Sequence, residues 1–171
     1  MRLHMEGVAL GSREVELARA YEEEWEARIS LFYDGHMCFA TLLGGDRAAH
    51  GRLMDGVREF LQGDRTGWNR EVTQRVGLPL LEGITQYFDG DYSGAVATLG
   101  PVMEELQTKL QGSRAQKDVF RQILLSAAIK SGAKADLAKA QQVLAKELQD
   151  SGLEEHKAVN QRMLQRILAK H

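Results

Sequence analysis

The stretch that decides the fold is LPLLEGITQYFDGDYSGAVATL, residues 78–99. In its first half the apolar residues recur at helical spacing, which predicts a helix with one broad apolar face. Gly90 is a natural helix terminator, and Asp91 is a natural N-cap for a second helix. Gly83 costs a lone helix about 1 kcal/mol relative to alanine, a cost that is tolerable where another helix must approach closely. The stretch therefore predicts an antiparallel helical hairpin.

The features of this hairpin recur along the chain at a step of 45 residues. Asp46, Asp91 and Asp136 share this spacing, and each is expected to cap the second helix of a hairpin. The same 45-residue step relates three further sets of similar residues. They are Cys38, Gly83 and Ala128; Phe39, Ile84 and Ile129; and Met54, Leu99 and Leu144. The alternative explanation is that several helices of similar length share this spacing by chance. Fixed-period similarity is typical of helical repeat arrays, although 45 residues exceed the ~34 of tetratricopeptide repeats.

We therefore predict an all-α fold of tetratricopeptide-like hairpin repeats, an α-α superhelix, in a single domain. A helix opened by Ser12 comes first, then three hairpins, then an amphipathic capping helix. The predicted bounds are 12–32 for the first helix, 33–62, 77–111 and 114–150 for the hairpins, and 153–169 for the cap, within a domain of 1–171.

Two further local signals refine this organisation. Pro101 falls inside the second helix of the middle hairpin and is expected to kink or break it unless Gly100 absorbs the change. Ser113 and Gln116 form a capping-box pattern, which predicts that a helix begins immediately after Ser113.

Composition limits the class of protein. Hydrophobic residues make up 43% and charged residues 27% of the chain, which is ordinary for a soluble domain. A net charge of −2 gives no electrostatic argument for nucleic acid or an anionic membrane. The single cysteine, Cys38, fits a reducing compartment, and no apolar run approaches the ~20 residues of a membrane span. We expect a cytoplasmic protein that binds neither nucleic acid nor membrane.

Several motifs resemble a known family. They are RLHMEG at 2–7, FYDGH at 32–36, VGLPL at 76–80, GDY-x-x-AV at 90–96 and GS-x-AQ-x-DVF-x-Q at 112–122. In this order they resemble the C-terminal region of the tetratricopeptide repeat protein 38 family, over most of the chain. The resemblance implies an all-helical repeat scaffold and a fragment or shortened relative of longer proteins. It implies no enzymatic activity.

In a tetratricopeptide-like stack, the first helix of each hairpin faces a concave groove. Here that groove is expected to be largely apolar, without the cationic set that grips an acidic peptide terminus. An exposed apolar patch usually marks a contact, which leaves a partner helix, a lipid-like ligand, earlier repeats or a second copy of the chain as occupants. The groove residues are Phe32, His36, Phe39, Leu81, Ile84, Tyr87 and Ile129.

Polar residues suggest a second candidate site. The set is Asp34, Arg75, Gln116, Asp118 and Arg121. It could be a small binding site, or a network that joins adjacent hairpins, and the network is the favoured interpretation. Asp34 is expected to cap a helix and His36 to pack or face solvent, although a metal site could recruit both together with His50. Cys38 is expected to be a small core residue rather than a nucleophile.

Our leading hypothesis is a non-enzymatic scaffold that holds a partner protein, or forms a homodimer, through the apolar groove. The chain contains no phosphate-binding loop, no G-x-S-x-G and no H-E-x-x-H, and we expect no cofactor and no metal. The alternative is a helical domain that encloses a small-molecule or catalytic site around Asp34 and His36, with Arg75 or Arg121.

Overall fold

The computed structural model describes residues 1–21, 30–64, 66–150, 161–163, 165–166 and 169, without the side chains of 115 and 147–150. Within this part of the chain all regular structure is helical and no strand occurs, so the predicted all-α class is confirmed. The helices are α1 (Arg2–Met5), α2 (Arg13–Ala20), α3 (Leu31–Leu43), α4 (Arg47–Gln62), α5 (Trp68–Val72), α6 (Leu78–Asp89), α7 (Tyr92–Lys109), α8 (Arg114–Ser131) and α9 (Lys134–Asp150).

Consecutive long helices pack against each other in pairs: α3 with α4, α6 with α7, and α8 with α9. The pair α6 and α7 is central, because α3 and α8 both contact α6, while α7 also contacts α8 and α9. The short α1 packs on α8, and α2 packs on α3. The apolar face of α6 is therefore covered by α3, α7 and α8.

The first two pairs are joined by the same local structure. Gly45 and Gly90 adopt left-handed φ values of 74° and 83°, which favour glycine. The carboxylate of Asp46 accepts the N–H of Ala49 at 2.8 Å, and that of Asp91 accepts the N–H of Gly94 at 2.9 Å. Both aspartates are thus the N-caps that the sequence predicts.

The third connection differs, and the prediction that Asp136 is an N-cap is wrong. The left-handed residue is Gly132, with φ 67°, so α9 already begins at Lys134 and Asp136 lies within its first turn. The carboxylate of Asp136 accepts hydrogen bonds from the hydroxyls of Ser93 and Ser131, each at 2.7 Å. The residue therefore ties α7 to the third connection instead of opening a helix.

Pro101 does not break α7, which runs through it from Tyr92 to Lys109. Proline removes the N–H that would bond the carbonyl of Ala97, one turn earlier. Both Pro101 and Ala97 are exposed, so water can satisfy that carbonyl. The proline is tolerated because it lies on the solvent face of the helix.

The predicted helix over 12–32 is also wrong as a single element. Ser12 makes no side-chain capping bond, α2 ends at Ala20, and residues 22–29 lie outside the described residues. Ser30 has extended backbone angles, and its hydroxyl accepts the N–H of Tyr33 at 3.2 Å. A new helix, α3, therefore begins at Leu31, and Ser30 rather than Asp34 caps it.

Most of the predicted capping helix over 153–169 lies outside the described residues. Within it, Met163 is buried against the core. The guanidinium of Arg166 pairs with the carboxylate of Glu6 at 2.9 Å. These contacts bring the described part of the C-terminal segment to the core and to the N-terminal segment.

The central pair depends on a close crossing of α6 and α7. A Cβ added to Gly83 would lie 2.5 Å from Cγ of Leu99, a fully buried side chain. Real Cβ atoms do not approach other atoms so closely, and Leu99 is packed in the core on all sides. Gly83 is therefore required by the approach of the two helices, as the sequence predicts.

We predict that Gly83→Ala destabilises the chain by about 1–3 kcal/mol, because overpacking at Leu99 outweighs the gain in helix propensity. Gly51→Ala in α4 is the matched control, since its added Cβ meets nothing within 4 Å and should stabilise by about 0.5–1 kcal/mol. Urea unfolding followed by circular dichroism measures both. Equal stabilisation by the two substitutions would contradict the close crossing.

Candidate functional site

Most of the predicted apolar groove is interior to the chain. Four of its seven residues are buried in the core, with Leu81 and Ile84 at 0% exposure, Tyr87 at 2% and Phe39 at 7%. Phe32, His36 and Ile129 retain intermediate exposure. The prediction of an open apolar groove along these first helices is therefore wrong for α6, because α3, α7 and α8 enclose its apolar face.

His36 belongs to an aromatic cluster. Its ring centroid lies 4.2 Å from that of Phe32, 5.0 Å from Phe39 and 5.3 Å from Phe120. Its Nδ1–H donates to the carbonyl of Phe32 at 2.8 Å. Burial lowers the pKa of His36, so the ring is neutral near pH 7 and packs against its neighbours as an uncharged aromatic ring.

The structure brings together only two of the five predicted polar-site residues, Asp118 and Arg121. They form a buried ion pair on successive turns of α8, and the Asp118 carboxylate also accepts the side-chain amide of Gln122. Arg2 of α1 reaches the same carboxylate at 3.4 Å. Asp118 thus holds several donors at once, which is how a buried carboxylate is stabilised.

The other three residues of the predicted set lie apart from this pair. Gln116 completes the capping box with Ser113, as predicted. Arg75 is exposed and pairs with Glu105 at 3.1 Å. Asp34 is buried within the first turn of α3, where it lines a separate cleft. The set therefore does not form one polar site.

A largely buried polar network, which the sequence did not predict, links α3, α4 and α6. The Thr85 hydroxyl donates to the carbonyl of Leu81 at 2.8 Å and accepts from Nε2–H of His50 at 3.0 Å. Nδ1 of His50 then faces the Cys38 sulfur at 3.9 Å. The three residues lie in different helices and share no spacing in the sequence, so no local pattern predicts their contact.

This network resembles a nucleophile and base but lacks their chemistry. Cys38 is 0% exposed, and burial raises the pKa of its thiol well above the usual range. Burial also lowers the pKa of His50. The pair is therefore neutral and closed to a substrate, whereas reactive cysteines lie in electropositive surroundings that are accessible to solvent. Its role is to satisfy polar groups where three helices meet.

Asp34, His36 and His50 do not converge on a metal site. The ring of His36 lies among aromatic rings, and that of His50 bonds to Thr85. No group of three or more histidine, cysteine, aspartate or glutamate residues in the described part of the chain is placed to hold a metal ion.

A cleft of about 240 Å³ lies at one end of the central pair, and we call it the aromatic cleft after Phe32, Phe60 and Trp68 in its lining. Side chains of α3, α4, the segment 66–73 and the C-terminal end of α7 form its walls. Its lining residues are Ser30, Leu31, Phe32, Asp34, Val57, Phe60, Thr66, Trp68, Asn69, Arg70, Val72, Thr73, Lys109 and Gln111.

Local backbone features position this cleft. Between α5 and α6 the chain makes a π-helical turn, Thr73–Gly77, and Leu31 packs where Gly77 has no Cβ. The ring of Phe32 lies against Gly112, where an added Cβ would be 2.8 Å from the ring. The guanidinium of Arg70 donates to the carbonyl of Leu61 at 2.6 Å and ties α5 to the end of α4. Isolated π-turns occur frequently at functional sites.

No family model matches this chain, and no solved structure matches it significantly. The resemblance to the tetratricopeptide repeat protein 38 family thus stays a prediction from its sequence motifs. None of the helices in the described ranges combines the length and apolar character needed to cross a membrane.

We predict that the chain loses stability in mild acid. Because their pKa values are lowered, His36 and His50 stay neutral in the folded chain at a pH where unfolded histidines, with an ordinary pKa of 6.5, take up protons. The contribution of the two histidines to the unfolding free energy is therefore fully present above pH 6.5. It falls as the pH drops below 6.5, by at most about 1.4 kcal/mol per pH unit for each histidine. Urea unfolding across pH 5–8 measures the slope. His50→Gln should reduce it, and an unchanged slope would contradict the assignment to His50.

We predict that Asp118→Ala destabilises the chain by about 3 kcal/mol, because it removes the carboxylate of a buried ion pair and leaves the Arg121 guanidinium, 2% exposed, in the core. Asp55→Ala is the matched control. Asp55 pairs with Arg58 at the same helical spacing, but both side chains are at least half exposed. Its effect should stay below about 1 kcal/mol. Similar midpoints of denaturation for the two variants would contradict the prediction.

Proposed function

We propose that this chain is a non-enzymatic helical interaction module that holds a segment of a partner protein. In this proposal the contact is the aromatic cleft, not the groove inferred from the sequence. The bound segment presents one bulky apolar side chain that enters the cleft. The lone, buried Cys38 favours a reducing compartment such as the cytoplasm as its place of action.

The shared connections of the first two helix pairs support a tetratricopeptide-like array. Besides the same cap, both aspartates donate their backbone N–H to a carbonyl five residues earlier: Asp46 to Thr41 and Asp91 to Gln86, each at 2.9 Å. Equal turns at equal spacing are what repeated hairpins produce. Helical arrays of this type commonly act by binding other proteins along extended surfaces.

The size of the aromatic cleft favours an anchoring side chain over a free small molecule. Its volume of about 240 Å³ lies below the ~300–1,000 Å³ typical of small-molecule sites. Six apolar side chains, three of them aromatic, line it together with eight polar or charged residues, of which Asp34 and Thr73 are buried. Such a mixture suits the centre of a protein interface, where one or two buried anchors supply most of the affinity.

The observation that carries the proposal is Trp68. It is 51% exposed, lies in the wall of the cleft, and is the largest of the exposed apolar side chains among the described residues. Tryptophan is strongly enriched at the energetic centres of protein interfaces. An exposed indole beside a preformed cleft is therefore the arrangement expected of a binding site for an apolar side chain.

To test the proposal, a random peptide library displayed on phage is selected on the immobilised chain, and the affinity of the selected peptides is measured by fluorescence polarisation. We expect peptides with a shared aromatic or bulky aliphatic anchor, whose affinity falls at least about tenfold in Trp68→Ala. Leu17→Ala is the matched control, since Leu17 is an exposed apolar residue outside the cleft, and it should leave the affinity unchanged.

Three results would overturn the proposal. The first is that selected peptides bind Trp68→Ala as tightly as the unchanged chain, and the second is that the library yields no binder. A dimer found by light scattering, and abolished by Trp68→Ala, would show that a second copy fills the cleft instead of another protein. Circular dichroism of each variant confirms that the helices are intact.

A further inference from the structure

The N-terminal segment reaches the first helices of all three pairs. We call residues 1–10 the N-terminal strap. Its helix α1 packs on α8, and the ring of His4 lies 5.4 Å from that of Phe88 in α6. The next helix, α2, packs on α3. The strap and α2 therefore contact the same three helices from which the sequence predicts a groove.

An open hollow of about 500 Å³ lies between the strap and the helix pairs. Its walls include Met1, Leu3 and Leu10 of the strap, His36 and Phe39 of α3, and Val119 of α8. It shares no lining residue with the aromatic cleft. His36 and Phe39 belong to the predicted groove, so the strap lies over the α3 part of that groove.

Two kinds of contact hold the strap in place. Met1 and Met5 are one helical turn apart, and both pack against the core with partly buried side chains. The guanidinium of Arg2 reaches the carboxylate of Asp118 at 3.4 Å. Apolar anchors one turn apart beside a charged contact are the means by which short amphipathic helices dock in grooves.

These contacts bury little of the strap. None of its residues is buried, and Leu3 and Val8 are 54% and 46% exposed. Its ion pair between Glu6 and Arg166 is at least half exposed on both sides, so it contributes little free energy. A segment with so few buried apolar contacts opens at a small cost in free energy.

The backbone of the strap is also weakly fixed. Its helix α1 is four residues long and has no side-chain N-cap. Gly7 and Gly11, with left-handed φ values of 77° and 61°, form the turns that lead to α2. His4 faces the carboxylate of Glu14 at 3.8 Å, a distance at which a hydrogen bond is weak. The strap can therefore leave the groove while α2 stays packed on α3.

Opening of the strap leaves no buried charge without a partner. When Arg2 departs, the Asp118 carboxylate keeps the hydrogen bonds from Arg121 and Gln122 of its own helix. The side chain of Arg2 is already 52% exposed, so water can solvate it in the open state. The buried ion pair of α8 thus remains satisfied in both states.

We propose that the strap is an autoinhibitory segment that a helix of a partner protein displaces. The partner helix presents two apolar side chains one turn apart and an arginine that replaces Arg2 at Asp118. A longer helix also fills the hollow that the strap leaves open, and so gains apolar contact with His36, Phe39 and Val119. The closed strap lowers the apparent affinity for this partner, because only open chains bind it.

The test uses a synthetic peptide of the strap, MRLHMEGVAL, which is titrated into the isotope-labelled full chain and followed by NMR. In the chain, Met5→Ser removes one apolar anchor and raises the fraction of open straps. We expect this variant to bind the peptide about fivefold more tightly than the unchanged chain does. The amide signals of Phe39 and Val119 should shift on binding.

Val8→Ser in the chain is the matched control. Val8 is an exposed strap residue that neither lines the hollow nor packs against the core, so its substitution should leave the affinity unchanged. A peptide that carries both Arg2→Ala and Met5→Ser should bind at least about tenfold more weakly, because it lacks both kinds of anchor. Circular dichroism of the chain variants confirms that the helices are intact.

Absence of peptide binding to Met5→Ser, equal affinities of Met5→Ser and the unchanged chain, or an equal gain in Val8→Ser would each overturn the proposal. A dimer of the unchanged chain that Met5→Ser dissociates, seen by light scattering, would assign the groove to the strap of a second copy and overturn a separate partner. Trp68→Ala should leave the affinity for the strap peptide unchanged. The result is thus independent of the proposal for the aromatic cleft.

Discussion

The crossing of α6 and α7 at Gly83 and Leu99 is the contact on which the rest of the structure depends. Because position 83 has no side chain, Leu99 enters the surface of α6 and is completely buried there. The two helices then act as one unit with apolar surface on both sides. One side packs against α3 and the other against α8, so the order of the layers follows from one close approach.

This arrangement moves possible binding chemistry to the margins of the helix pairs. Leu80, Leu81, Ile84 and Tyr87 of α6 are buried in the core, which leaves no open groove along that face of the helix. Clefts lie instead at the end of the central pair and between α7, α8 and α9. The cleft at the end of the central pair lies beside the π-helical turn and has a mixed lining of apolar and polar side chains.

The buried polar groups have a structural explanation. The Asp118 carboxylate accepts hydrogen bonds from side chains of α1 and α8, and the imidazole of His50 makes hydrogen bonds with side chains of α6 and α3. Unsatisfied polar groups at such places would cost free energy, while satisfied ones restrict how the helices can pack. The Cys38 thiol belongs to the same category, since burial keeps it protonated.

The sequence by itself determined the features whose causes lie within a few residues. The caps Asp46 and Asp91, the helix end at Gly90, and the capping box of Ser113 and Gln116 are all local signals, and all were predicted. Only the tertiary structure decided the features that depend on a distant neighbour. Pro101 is tolerated because its face of α7 meets water, and Asp136 binds Ser93 of another helix. Whether an apolar stripe is an open groove or a core depends on which helices cover it, and periodicity along one helix carries no information about its neighbours.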